Sequence, residues 1–154
     1  MEKSKQVLNE LFVELFNDIS AIEENTLKNG VLSDLSLTEL HTIDAIGMYG
    51  EKTMGSIAEN LDITQGTLTI AINKLIKKGY VARRKLEKDK RVVVVWATKK
   101  GKIAYRLHRK FHSDMISMIL EEINEKEEAV LINALDKLNM FFKEKYLQNN
   151  KRDV

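Results

Sequence analysis

The chain has 154 residues, with 25 Lys and Arg against 23 Asp and Glu and neither cysteine nor proline, the size of one domain or of one domain plus helices that pack on a second copy. The lack of cysteine excludes a disulfide framework and any thiolate zinc site. The longest apolar run, Val92 to Ala97, is far too short to cross a bilayer, and the opening MEKSK has no apolar signal core, so a cytoplasmic protein without membrane contact is expected.

Helical spacing links Val7, Leu8, Leu11, Phe12, Leu15, Ile19 and Ile22 and predicts a long first helix that stops at Asn29-Gly30. The stretch SLTE, Ser36 to Glu39, has the form of a capping box and opens a second helix running to about Tyr49. Thr53 starts a short third helix with Ile57, Ala58 and Leu61 inward. Asp62-Ile63 is a tight break, and Thr64 caps a fourth helix that ends at Gly79. There the period changes: YVARRKL and RVVVVWA are β-branched and aromatic runs around a polar EKDK, the pattern of a hairpin with a charged tip. Thr98 restarts helix to about Ile123, and Asn124 with Glu127 forms a second capping box before a last helix through Leu147. The expected fold is mainly α with a small β-hairpin. Its expected parts are an N-terminal helix (1–35), a central domain (36–97) and C-terminal helices (98–154).

Charge is segregated along this order. Residues 64–110 hold 15 Lys and Arg against two acids, Glu87 and Asp89, whereas the rest holds 10 against 21. A polyanion is the partner such a footprint favours. In the fourth helix Leu68, Ala71, Ile72 and Leu75 form one apolar stripe, which must face the core. The outward face then holds Gly66, Ile70, Asn73 and Lys77, flanked by Thr67, Thr69 and Lys74, with Gln65 and Thr64 at the helix start and Ser56 on the preceding helix. Small polar groups at an outward N-terminal end suit entry into the major groove of DNA; Gln65 and Asn73 have the chemistry to read adenine, and Ile70 to meet a thymine methyl. Ile70 is equally suited to an ordinary contact with a neighbouring loop. Arg83, Arg84 and Lys85 on the first strand and Lys88, Lys90 and Arg91 about the tip are placed to follow phosphates. Asp89, which phosphate would repel, is expected to hold an arginine in a bidentate pair.

From Ile63 to Lys102 the chain resembles the winged helix-turn-helix of MarR-family transcription regulators, including the D-x-R of Asp89 and Arg91 and the T-x-x-G of Thr98 and Gly101; Ala97 departs from the usual Leu before that Thr. The resemblance extends to the flanking helices and implies a winged helix-turn-helix with long N- and C-terminal dimerisation helices. It places Asp89 and Arg91 in the DNA-binding wing. The segments ELHTIDAIGM, GTLTIAINKL, KGYV and RLHRKFH are most similar to the repressor of fatty-acid synthesis genes in that family. That similarity implies a corepressor, acyl carrier protein bearing a long acyl chain, with no required cofactor. An apolar channel lined by Leu11, Leu15, Ile19, Met115, Met118 and Ile119 is the expected seat of that chain, although such a stripe is also ordinary core.

Ala129, Val130, Leu131, Ile132, Leu135, Leu138, Met140, Phe141 and Phe142 wrap more than one face of the last helix, so a homodimer on an inverted-repeat operator is expected. His108 and His112 lie at i and i+4, a spacing compatible with metal but common without it. Zinc-sensing MarR repressors resemble this chain in the places of Glu24, His41, His108 and His112; a zinc- or small-ligand-responsive repressor is the alternative. No nucleophile triad and no glycine-rich phosphate loop is present, and no enzyme is expected. A module whose basic face meets an acidic protein is the remaining rival.

Overall fold

A computed structural model describes residues 2–147. Its elements are α1 (Glu2–Asn29), α2 (Leu37–Ile46), β1 (Lys52–Thr53), α3 (Met54–Leu61), α4 (Gln65–Lys77), β2 (Val81–Lys85), β3 (Val93–Ala97), α5 (Lys99–Glu121) and α6 (Glu125–Phe142), followed by a π-type turn, Lys143–Leu147. The expected helices and hairpin are all present. Residue 1 and residues 148–154, which close the expected terminal segments, lie outside the described residues. No described helix is long and apolar enough to cross a membrane.

One expected boundary needs correction. The second helix ends at Ile46 rather than near Tyr49, because Gly47 turns into the left-handed region (φ 82°) and its N–H returns to the Ile43 carbonyl. The chain released there forms β1, so the hairpin is part of a three-stranded antiparallel sheet in the order β1-β3-β2. Lys52 pairs with Val95 and Thr53 with Val94, while β2 runs from Val81 opposite Ala97 to Lys85 opposite Val93. Two residues are too few to show a strand's alternation, and β1 leaves no pattern in the sequence.

By compactness the chain forms two units, one that runs through Arg109 and a second that begins at Lys110. In the first unit the core gathers Leu40, Ile43 and Ile46 of α2, Ile57 and Ala58 of α3, Leu68, Ile72 and Leu75 of α4, Tyr80, Val81, Val95 and Ala97 of the sheet, and Ala104 of α5. Burying each larger aliphatic side chain contributes about 1.5–3 kcal/mol. The capping box expected at Ser36 is made: the Ser36 N–H donates to Glu39 Oε2 (2.8 Å) and the Glu39 N–H to Ser36 Oγ (3.2 Å). In the second unit α6 opens on the same device at Asn124 and Glu127 and buries none of its residues. Val130, Leu131, Ile132, Leu135, Met140, Phe141 and Phe142 are exposed. In α1 the same holds of Val7, Leu8, Leu11, Phe12, Leu15, Ile19 and Ile22.

The C-terminal end of α4 is held by a polar network. Lys78 Nζ donates to the Asp34 carbonyl (2.5 Å) and to Glu39 Oε2 (2.7 Å), the Tyr80 hydroxyl donates to Asp34 Oδ1 (2.7 Å), and Lys100 Nζ lies 4.0 Å over the Tyr80 ring. The Tyr80 hydroxyl holds the Asp34 carboxyl below its ordinary range, with help from Lys100. Burial alone would push Glu39 up, but hydrogen bonds from Lys78 and Ser36 outweigh it and the net shift is downward. Carboxyls lowered by folding add stability that is present above the ordinary carboxylate range and lost as pH falls through their folded values. Melting curves between pH 7 and pH 3 should therefore show the parent losing midpoint temperature below about pH 4. Glu39→Gln should melt lower at pH 7 and respond less to acid.

The pair Thr98 and Gly101 has a mechanical role at the sheet–helix junction. The Thr98 hydroxyl donates to the Gly79 carbonyl (2.6 Å) and accepts from the Gly101 N–H (3.2 Å), while the Thr98 N–H donates to the Tyr80 carbonyl (3.0 Å). A Cβ at residue 101 would collide with the Tyr80 backbone carbonyl and press on Ala97. Gly101→Ala should accordingly lower unfolding stability by about 1–3 kcal/mol, the usual cost of overpacking, as measured by urea denaturation.

Candidate nucleic-acid interface

The apolar stripe of α4 sets its rotation. Leu68, Ile72 and Leu75 are completely buried and Ala71 half-buried, whereas Gly66, Thr67, Thr69, Ile70, Asn73, Lys74 and Lys77 are exposed. The outward face predicted from spacing is thus the outward face observed. Ile70 is 60% exposed, so no loop among the described residues covers it. Thr64 caps the helix, accepting the Thr67 N–H (3.1 Å) with the Thr67 hydroxyl at 3.0 Å, and the Thr69 hydroxyl donates to the Gln65 carbonyl (2.7 Å). These three hydroxyls serve the helix first. Gln65 and Asn73 differ: among the described residues neither side-chain amide has a hydrogen-bond partner, so both are available to an outside ligand.

The preceding helix is braced beside this end. Thr53 caps α3 by accepting the Ser56 N–H (3.2 Å), and the exposed Ser56 hydroxyl donates back to the Thr53 carbonyl (3.0 Å). The αL conformation of Asp62 (φ 53°) makes the tight turn between α3 and α4, a conformation that Asp tolerates better than most residues. Gly55 leaves room for the Gln65 amide, whose Nε2 would lie 3.4 Å from a Cβ there.

A cleft of about 550 Å³ lies between the start of α4 and the wing, lined in part by Thr53, Gly55, Gln65, Thr69, Arg83 and Arg91. Arg83 of β2, Arg91 of the hairpin tip and one amide from the helix thus address the same space, an arrangement suited to a phosphate backbone and a base edge. Lys85 closes β2, and Lys88 and Lys90 are exposed about the tip. Asp89 does hold Arg91, but not bidentately. Its Oδ1 alone accepts both the Arg91 backbone N–H (3.0 Å) and Nε–H (3.2 Å), which leaves the guanidinium side chain 92% exposed. The bidentate pair is elsewhere: Arg84 Nε and NH2 donate to Glu51 Oε1 and Oε2, each at 2.9 Å. Arg84 holds the Glu51 carboxyl below its ordinary range. Arg83 and Arg84 are successive strand residues and point to opposite faces, so Arg84, expected on the DNA face, is turned away from the cleft.

A second cluster lies inside the first unit. Glu23 of α1, His41 of α2 and His108 of α5 bring one ligand atom each within 4.8 Å of one another. Glu23 Oε1 is 3.1 Å from His108 Nε2 and 3.6 Å from His41 Nε2, and Asp44 Oδ1 is 3.6 Å from His108 Nδ1. The acid is Glu23 and not the expected Glu24, which is exposed and paired with Lys28 at 2.8 Å. Helical spacing explains the exchange, because Glu23 shares a face with Leu27, the other buried residue of α1. His112 belongs to the second unit, where it packs edge-on against Phe111 at 5.3 Å. Of the expected channel residues, Leu11, Leu15 and Ile19 are exposed on α1 in the first unit; Met118 and Ile119 are exposed and Met115 half-buried in the second.

Residues 35–93 match the model of the MarR family. Streptococcus pneumoniae FabT, solved in complex with DNA, is similar over 90% of this chain and 97% of its own, at 38% identity and a TM-score of 0.87. The HTH-type transcriptional regulator PchR of Bacillus subtilis is 24% identical over 148 residues, 88% of this chain and 87% of that protein. A MarR protein from Peptoclostridium difficile shares the fold, with a TM-score of 0.75 at 22% identity over 92% of this chain and 90% of its own.

The helix and wing should separate in mutagenesis. Arg91→Ala should weaken binding to every duplex and lower the slope of log affinity against log salt by about 0.9, whereas Asn73→Ala or Gln65→Ala should relax discrimination at particular base pairs by about 1–3 kcal/mol. Fluorescence anisotropy on specific and scrambled duplexes across a salt series measures both, and equal losses on the two duplexes for the helix variants would overturn the base-reading assignment.

Proposed function

The chain belongs to the MarR family and is a DNA-binding transcription regulator; we propose that it acts as a homodimeric repressor of fatty-acid synthesis genes, its operator binding strengthened by long-chain acylated carrier protein. The observation that carries the reading is the likeness to Streptococcus pneumoniae FabT in complex with DNA, at 38% identity over 90% of the chain. The dimer is supported by the exposed apolar side chains of α1 and, separately, of α6, faces that a chain in water covers with a partner. Two copies of α4 about a two-fold axis would read half-sites roughly 34–36 Å apart, hence an inverted repeat. An acyl chain needs apolar, adaptable surface. Leu11, Leu15 and Ile19 on α1 and, separately, Met118 and Ile119 on α5 offer it. The acyl chain strengthens operator binding only to the extent that it prefers the DNA-competent arrangement over the other.

Zinc response is the second reading, favoured by the cluster of Glu23, His41 and His108. Tetrahedral zinc with bonds of about 2.0–2.1 Å keeps its ligand atoms roughly 3.3 Å apart, close to the 3.1 and 3.6 Å found between Glu23 and the two imidazoles. Asp44 beside His108 Nδ1 stands where an outer carboxylate orients a ligating imidazole. Such a metal would supply a fixed positive charge joining α1, α2 and α5.

One experiment separates the readings. DNA fragments selected by the purified protein are sequenced, and affinity for the selected operator is then measured alone, with acylated or unacylated carrier protein, and with zinc. Tightening by the acylated form alone is expected. Affinity indifferent to it would overturn the fatty-acid role, and tightening by zinc that Glu23→Gln abolishes would establish the second reading in its place.

A further inference from the structure

We propose that Glu51 is a positioning residue for DNA recognition, its fork with Arg84 fixing the wing against the helix-turn-helix, and that Arg84 is consequently not a phosphate contact. The inference rests on the reading of α4 and the hairpin as the DNA-binding surface. Glu51 immediately precedes β1 on one edge of the sheet, and Arg84 lies on β2 at the other edge, with β3 between them. Arg84, Val94 and Thr53 stand in one cross-strand row, and Glu51, two residues before Thr53, shares that row's face. The two bonds of 2.9 Å therefore span the full width of the sheet.

What Glu51 is attached to gives the pair its leverage. The next residue, Lys52, donates to the Ala45 carbonyl in the last turn of α2 (2.7 Å), and the residue after it, Thr53, caps α3. The segment 51–53 thus joins α2, α3 and the wing. Its backbone adds only two ladder positions to the sheet, a hinge that pairing alone leaves weakly restrained. A planar fork–fork pair adds orientation as well as attraction. Arg83, on the other face of β2, opens on the cleft with Gln65 and Arg91; keeping Arg83 there requires β2 not to roll, and the roll is what the Glu51–Arg84 fork opposes.

The alternative for Arg84 is a phosphate contact that Glu51 screens, and it predicts effects of opposite sign. If Glu51 positions the wing, Glu51→Gln weakens operator binding on the order of tenfold, with a thermal midpoint close to the parent's because exposed ion pairs contribute little to stability. If Glu51 merely masks a phosphate-binding arginine, the same substitution tightens binding. Salt dependence is the second readout: Arg84→Ala leaves the slope of log affinity against log salt at the parent value, whereas Arg91→Ala lowers it by about 0.9. The exchange Glu51→Arg with Arg84→Glu is the third; it restores the parent affinity if the pair acts within the chain. Tighter binding by Glu51→Gln, a reduced salt slope for Arg84→Ala, or an exchange variant no better than the single variants would each overturn the proposal. A parent protein that binds no duplex would overturn the DNA-binding reading itself, and the role of Glu51 with it.

Discussion

The functional surface depends on the burial of one stripe. Leu68, Ile72 and Leu75 have no exposed surface, and truncating any of them would cost about 2–5 kcal/mol. A helix so anchored cannot rotate about its axis, because a turn of one residue, about 100°, would carry these side chains into water and bring Gly66, Ile70 and Asn73 inward. The identity of the outward residues is thus a consequence of the core. Affinity for DNA is superimposed on a rotation that hydrophobic burial has already decided.

The same principle of a fixed base and a projecting arm governs the wing. Its root is held by the Thr98 hydroxyl on the Gly79 carbonyl, by the Thr98 N–H on the Tyr80 carbonyl, and by the close approach that Gly101 permits. Tyr80 and Val81 are buried at this root, and exposure increases outward along β2 through Arg83, Arg84 and Lys85. Cations can therefore be carried on a strand whose stability comes from its other end. Alternation then sorts them, one arginine to the cleft and the next to Glu51.

The buried cluster of Glu23, His41 and His108 contrasts with this exposed surface. A carboxylate and an imidazole at 3.1 Å, both removed from water, are costly to separate. They join the first helix to α2 and α5.

Much of this was legible in the chain. The order of the helices, both capping boxes, the tight break at Asp62-Ile63, the outward face of α4 and the basic hairpin followed from 3.6- and 2-residue periodicity and from turn chemistry, which are local properties. The choice of Glu23 over Glu24 lay within reach of the same periodicity, through Leu27, but adjacent identical acids hide it. β1, the Glu51–Arg84 fork and the network around Asp34, Lys78 and Tyr80 were decided only by tertiary structure. Each joins residues 33 to 46 positions apart, or, for β1, more than 40, and a contact across such a distance leaves no spacing in the sequence. Sequence by itself thus determined which residues could meet DNA, whereas folding decided which of them are free to do so and which are held by a partner.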